Sequence, residues 1–297
     1  MKKLLLVFFL LFGGSTSISA DSIKENKKAC EAGNMIGCAN LGIAYAAGKG
    51  ITQNYSKAVK YFSEACEGGD GAGCSLLGTM YEDGKGVKQS YSKAINYLSK
   101  GCNLGDQGGC NNLANAYRYG EGVKQNYSKA INLYKEVCNK GLSTGCYNLG
   151  RMYDNGEGIK KNNSKAVKYL SKACNLGHGL SCLGTALKYA KGEGVKKNVS
   201  KSIQYFTKAC NRGVPYGCTM NGIFYYHGSG VKRNLSKAKK FSMEACIKGD
   251  GMGCYHVGVQ YKNGEGVKKD LFKAKQYFRK ACDLNEKDGC MAYKKIK

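Results

Sequence analysis

Sixteen cysteines come as eight Cys-x7-Cys pairs, the first at Cys30 and Cys38 and the last at Cys282 and Cys290, and the pairs recur every 36 residues without an insertion or a deletion. Other positions keep the same period. Tyr45, Tyr81, Tyr117, Tyr153, Tyr189, Tyr225 and Tyr261 form one column, and Gly48 with Gly50 recurs as Gly84 with Gly86 and onward to Gly264 with Gly266. Ala58, Ala94, Ala130, Ala166, Ala238 and Ala274 form a third column, interrupted by Ser202. A fixed period of this length marks a stacked array, in which each unit touches only its neighbours.

Each unit reads as two helices. From Tyr55 to Cys66 the apolar residues fall at 55, 58, 59, 62, 65 and 66, which is one face of a helix, with Asn54 as its N-cap. This is helix B. The segment Gly37–Ala47 is a shorter helix A with Cys38, Leu41 and Tyr45 on one stripe, ended by Gly48, since glycine accepts the left-handed cap conformation. The small residues of the Gly42 and Ala58 columns let neighbouring helices approach closely. Gly 42, Pro 1 and no Trp fit many short turns of one recurring kind rather than an ordinary globule.

The motif Cys-x-x-Leu-Gly-x-x-Tyr-x-x-Gly-x-Gly-Val, as in Cys74–Val87 with Ser-Lys-Ala six residues on, resembles the Sel-like repeat, a relative of the tetratricopeptide repeat. The 36-residue pitch with its cysteine pairs is similar to the Helicobacter cysteine-rich proteins, over roughly residues 22–297. Departures are local: Thr185-Ala186 stands where Leu-Gly is the rule, and Ser242 replaces an apolar helix B residue. The expected fold is all-α, a right-handed superhelical solenoid of about seven 36-residue αα repeats stapled by disulfides. The subgroup is associated with penicillin binding and β-lactamase activity, so the resemblance implies that label as well.

Residues 1–20 are expected to be a secretory signal peptide: Lys2 and Lys3 precede an apolar run from Leu4 to Phe12, then small polar residues up to Ala20. Nine apolar residues fall short of the ~20 that a spanning helix needs. Residues 21–297 are expected as a single repeat domain, with polar terminal caps at 21–30 and 283–297 that disfavour open-ended stacking, hence a monomer. The product is expected in the periplasm or outside the cell, oxidised by a thiol oxidase, because cysteines so numerous in an exported chain read as a disulfide framework.

Phase selects the pairing. If each pair closes on itself, every cysteine has a partner; if Cys38 joined Cys66, the same rule would strand Cys30 and Cys290. The expected bridges are Cys30–Cys38, Cys66–Cys74, Cys102–Cys110, Cys138–Cys146, Cys174–Cys182, Cys210–Cys218, Cys246–Cys254 and Cys282–Cys290. Zinc is not expected, since zinc cysteines sit about two to four residues apart, and neither is any other metal or cofactor.

Catalytic residues are not expected either. His178, His227 and His256 fall at unrelated positions of the repeat. Ser-x-x-Lys, the nucleophile pattern of serine β-lactamases, occurs at Ser90–Lys93, Ser229–Lys232 and Ser236–Lys239 without Ser-Asp-Asn or Lys-Thr-Gly anywhere.

Recognition has two candidate surfaces. Counted from the helix A cysteine, offsets +1, +5 and +8 vary freely and share one helical face. In the units with the richest chemistry they are Asn111, Asn115 and Arg118; Tyr147, Arg151 and Asp154; Thr219, Ile223 and Tyr226; Tyr255 and Lys262. Such a face is expected to bind a protein or peptide partner, and the family's exported character implies host molecules. The second surface is basic. With a net charge of +26, the loops after Gly-x-Gly carry Lys88, Lys124, Lys160, Lys161, Lys196, Lys197, Lys232, Arg233, Lys268 and Lys269, a ridge able to meet an anionic glycan, phosphate or nucleic acid. The Asn-x-Ser triplets at Asn54, Asn126, Asn162, Asn198 and Asn234 share the position before helix B, where capping is the simpler reason for them than glycosylation.

Overall fold

A computed structural model describes residues 20–296, so the expected signal peptide lies outside the described residues apart from Ala20. Sixteen α-helices and no strand occur among the described residues. The chain falls into two compact units, Met1–Leu133 and Tyr134–Lys297. The first holds α1 (Ala20–Glu31), α2 (Met35–Ala47), α3 (Tyr55–Glu67), α4 (Gly71–Asp83), α5 (Tyr91–Asn103) and α6 (Gln107–Tyr119). The boundary lies within α7 (Tyr127–Asn139). The second holds α8 (Ser143–Asn155), α9 (Asn163–Asn175), α10 (Gly179–Lys191), α11 (Val199–Asn211), α12 (Pro215–His227), α13 (Leu235–Ile247), α14 (Gly251–Asn263), α15 (Leu271–Asp283) and α16 (Lys287–Lys295).

Within each unit the helices pack as A/B hairpins, and each hairpin packs on the next: α2 on α3 on α4 on α5 in the first, α12 on α13 on α14 on α15 in the second. The hairpin boundaries follow from chemistry legible in the sequence. Gly48 ends α2 in the left-handed region at φ 65°, and its N–H donates to Ala44 O. Asn54 opens α3 by accepting the Lys57 N–H at 2.9 Å, and Asn126, Asn162, Asn198 and Asn234 do the same for their helices. The shared asparagine is thus a helix cap.

The interior is thin and depends on close approach. Phe62 is wholly buried against Gly42, where a Cβ would stand 2.6 Å from the ring, and Phe278 lies on Gly258 in the same way. Leu41, Leu77, Met80 and Leu98 complete the buried layer of the first unit; Tyr134, Leu149, Met152 and Phe206 belong to that of the second. Eight S–S bonds run along it, each joining the end of a helix B or its equivalent to the next helix A: Cys30–Cys38, Cys66–Cys74, Cys102–Cys110, Cys138–Cys146, Cys174–Cys182, Cys210–Cys218, Cys246–Cys254 and Cys282–Cys290. Cys30, Cys38 and Glu64, and likewise Cys210, Cys218 and Glu244, come close enough to suggest a metal, but the sulfurs in both groups are already bonded to each other.

One local exchange shows how tight the layer is. Gly101 stands in the column otherwise held by alanine or valine, and a Cβ there would overlap the Ser75 Oγ. Ser75 is buried and donates to Gly71 O at 3.0 Å. In the preceding repeat the same two columns are Ala39 and Ala65, both buried. Gly101→Ala alone is expected to destabilise by about 1–2 kcal/mol through overpacking, and Ser75→Ala in the same chain to restore the part due to the hydroxyl, the approach to the backbone Gly71 O at 2.7 Å remaining. Denaturant unfolding of the two single variants and the double variant measures the coupling; additive effects would contradict the contact.

Candidate interaction face on the A helices

The A helices are α2, α4 and α6 in the first unit and α8, α10, α12 and α14 in the second. Their three variable columns do not share one environment. At offset +1 the residue turns toward the following repeat. In the second unit it meets the N-cap residue of the next A helix at two places: the Tyr147 ring lies 4.3 Å from that of His178, and Thr219 Oγ1 donates to Asp250 Oδ2 at 2.8 Å. Leu183 and the N-cap residue Val214 pack on the same buried cluster of Cys174, Cys182 and Ala209. Variation in this column is matched by variation in its partner.

Offset +8 also reaches forward. Asp154 Oδ1 stands 2.6 Å from Lys188 Nζ, and Lys188 also pairs with Glu193 at 3.3 Å. Tyr226 Oη donates to Glu265 Oε2, Arg233 Nη2 holds Glu265 Oε1 at 3.1 Å, and Arg233 Nε donates back to Tyr226 O at 3.0 Å. Bonds from Tyr226 and Asn263 and the charge of Arg233 hold the Glu265 carboxyl below the usual carboxylate range, while burial and Glu265 push the Tyr226 phenol up.

The expectation of one open face therefore needs correction at three residues. Asn111, Arg118 and Thr219 are buried, at 4%, 3% and 0% exposed. The Arg118 guanidinium stacks over the Tyr119 ring at 5.0 Å. In the second unit Thr219 and Tyr147, one residue past the cysteine, and Asp154 and Tyr226, eight past it, lean toward the next repeat, which helical periodicity within one helix does not show. Offset +5 stays accessible: Arg151 is exposed, and Asn115, Ile223, Leu187 and Val259 are half-buried. Lys262 is exposed, and Tyr147, Asp154, Tyr226 and Tyr255 keep partial exposure.

The histidines are placed for structure. The neutral His178 Nδ1 accepts the Ser181 N–H at 3.2 Å, capping α10 where other A helices use Asp70, Asp106 or Asp250. Burial lowers its pKa below 6.5. Protonation would turn Nδ1 into a donor and remove the cap. Because the folded pKa is lowered, this contribution is complete above about pH 6.5 and is lost as pH falls through the folded value. His256 is lowered too, by burial first and His227 second, so it adds to the same slope. His178→Asn, a neutral cap, is expected to flatten part of the acid loss, worth about 1 kcal/mol. Melting temperatures of both chains between about pH 7.5 and pH 5 decide it.

Two of the three Ser-x-x-Lys lysines are likewise engaged elsewhere. Ser90 caps α5 by accepting the Lys93 N–H, and the Lys93 ammonium lies over Tyr81 at 5.2 Å; Lys239 lies over Tyr261 at 5.1 Å. This reveals a feature not noticed in the sequence. The helix A tyrosine stacks on a helix B aromatic, as in Tyr45–Tyr61 at 5.7 Å and Tyr225–Phe241 at 5.8 Å, and the lysine at the third position of helix B covers it, from Lys57 over Tyr45 to Lys273 over Tyr261. The signal was the shared period of the three columns.

Stapled α-hairpins of 36 residues, each helix B packed between its own helix A and the next, define a helical repeat scaffold of the tetratricopeptide kind. Seven segments match the Sel1 repeat, at residues 36–70, 71–106, 108–142, 143–178, 181–214, 215–250 and 251–286, and the chain belongs to that family. Among solved structures it is similar to c5321, a protective antigen of uropathogenic Escherichia coli with an SLR fold (25% identity, TM-score 0.74, 91% of this chain), and it spans 58% of the length of that protein. It is also similar to a Sel1 repeat protein from Oxalobacter formigenes (22% identity, TM-score 0.70, 93% of this chain and 80% of the other). Helicobacter pylori cysteine-rich protein B is 35% identical over 45% of this chain and 96% of its own, with a TM-score of 0.36. No curated protein matches the chain. Among the described residues no helix is long and apolar enough to cross a membrane.

Proposed function

We propose that this chain is an exported scaffold that binds a protein or peptide partner on its A helices, through the offset +5 residues and the +8 side chain Lys262. The observation that carries this reading is the division of labour among the variable columns. Tyr147 and Thr219 at offset +1 and Asp154 and Tyr226 at offset +8 meet residues of the next repeat, whereas Arg151, Leu187, Ile223 and Val259 in the second unit vary while keeping exposed surface. Stacked A-helix faces of this kind form extended binding surfaces. Asn115 offers the same position in the first unit. Export is supported by the pairing of all sixteen cysteines, which persists in oxidising compartments.

A photo-crosslinking residue placed at Ile223 or Arg151, in the host cell's secretome, is expected to trap one defined partner. The same residue at Gln204, exposed on helix B of the second unit, is the control. Equal trapping at Gln204 would overturn the assignment of the face. The β-lactam association of the resembling subgroup gains no support from Ser90 or Ser236, whose pattern lysines are held on tyrosine rings. Chromogenic β-lactam turnover by the oxidised protein, lost in Ser90→Ala or Ser236→Ala, would show that a catalyst was misread as a scaffold.

A further inference from the structure

The last A/B loop encloses a depression unlike a plain turn. It is lined by Lys239 of α13, Tyr261 of α14, Val267, Lys268, Lys269 and Asp270 of the loop, and Lys273 of α15. A similar depression in the first unit, lined by Tyr81, Val87, Lys88, Gln89, Ser90 and Lys93, carries two lysines. The difference arises from two substitutions. Gln89 becomes Lys269 at the equivalent position, and the helix B residue of the preceding repeat becomes Lys239 where Val59, Ile95, Ile131, Val167 and Ile203 stand in the earlier repeats, with Lys275 following it in the last. Val59 packs in the apolar cluster beside Tyr81 and Val87. Lys239 therefore exchanges an apolar contact for an ammonium at the rim of a basic hollow.

Among the described residues a single carboxylate of the lining, Asp270, offsets part of this charge. Asp270 caps α15 by accepting the Lys273 N–H at 2.9 Å and pairs with Lys273 Nζ at 3.4 Å. The loop's other carboxylate, Glu265, is held by Arg233 and Tyr226. Lys239, Lys268 and Lys269 have no ion pair among the described residues. The Tyr261 ring holds two of the four ammonium groups in place, Lys239 at 5.1 Å and Lys273 at 5.5 Å from its centroid, so part of the ordering that a ligand would otherwise impose is already present.

We propose that this depression binds a compound bearing two or more linked phosphate groups, with Lys239, Lys268, Lys269 and Lys273 as its donors. The chemistry favours phosphate over carboxylate. No arginine lines the hollow, so the planar fork that grips carboxylates is missing, while lysine binds phosphate as a point charge. Three ammonium groups in excess of the one carboxylate match several charges concentrated on adjacent phosphorus centres, more than one charge spread over a carboxylate. The site is separate from the A-helix face, and its failure would leave that reading untouched.

Titration calorimetry of the oxidised protein with sodium tripolyphosphate tests this. One saturable site per chain is expected, weakening with added salt. Lys239→Val, which restores the residue type of the five earlier repeats, is expected to lower the affinity roughly fivefold without changing the melting temperature of the free protein. Lys88→Ala, in the first unit's depression, is expected to leave it unchanged. Absence of saturation, equal affinity in Lys239→Val, or several equivalent sites lowered alike by both variants would overturn the proposal. Sedimentation with phosphatidylcholine vesicles containing diacylglycerol pyrophosphate, whose headgroup bears two linked phosphates, then identifies the source: co-sedimentation lost in Lys239→Val assigns it to a lipid headgroup, and tripolyphosphate binding without it assigns a soluble phosphate compound.

Discussion

Reduction of the eight disulfides is expected to unfold this chain at room temperature, as loss of helical circular dichroism that returns on reoxidation. Each bridge closes across a sequence separation of eight residues, and a loop that short is worth about 2.5 kcal/mol in chain entropy. Net stability of a folded domain is about 5–15 kcal/mol, so losing several bridges exceeds it. The compensating core is small, because glycine and alanine columns bring the helices close at the expense of apolar area. Removing one bridge separates local from global effects. Cys210→Ala with Cys218→Ala is expected to cost about 2.5 kcal/mol and to speed amide exchange in α11 and α12 well before α4 and α5, since neighbours carry the coupling in a repeat array. Native helicity retained under full reduction would show that packing alone holds the hairpins.

The second large effect is at Lys188. Its side chain is 7% exposed, in a column otherwise filled by Ala44, Met80, Ala116, Met152, Phe224 and Gln260, and it is paired with Asp154 and Glu193. Asp154→Ala takes away the 2.6 Å partner and leaves a buried ammonium with the more distant Glu193. A loss of about 2 kcal/mol is expected, less than for a fully enclosed pair because Asp154 is 34% exposed. Lys188→Met, the residue found at Met80 and Met152, is expected to be neutral or stabilising, since desolvating the pair offsets its attraction. The ordering of the two variants in urea is the test; a larger loss for Lys188→Met would mean the ion pair itself contributes net stability.

Neither position stood out in the sequence. Lys188 interrupts a column without a pattern of its own, and Asp154 read as one more exposed residue on a free face. The same limit explains Thr219, assigned to that face by spacing within one helix and found bonded to Asp250 of the next repeat, while Asn111 and Arg118, assigned likewise, are buried. The tyrosine–lysine stacks were in plain view as three fixed columns, yet which columns touch depends on the crossing of A on B.

The repeat, its helix boundaries and its caps were determined by the sequence alone, because each rests on short-range chemistry: the left-handed glycine at Gly48, the asparagine cap at Asn54, the apolar stripe of Tyr55–Cys66. A strict period of 36 residues multiplied those local signals until no other fold class fitted. Which variable side chains remain free was decided only by the tertiary structure. A residue's exposure in a stacked array depends on what the next repeat, 36 residues on, sets against it: His178 against Tyr147, Asp250 against Thr219, Glu265 against Tyr226.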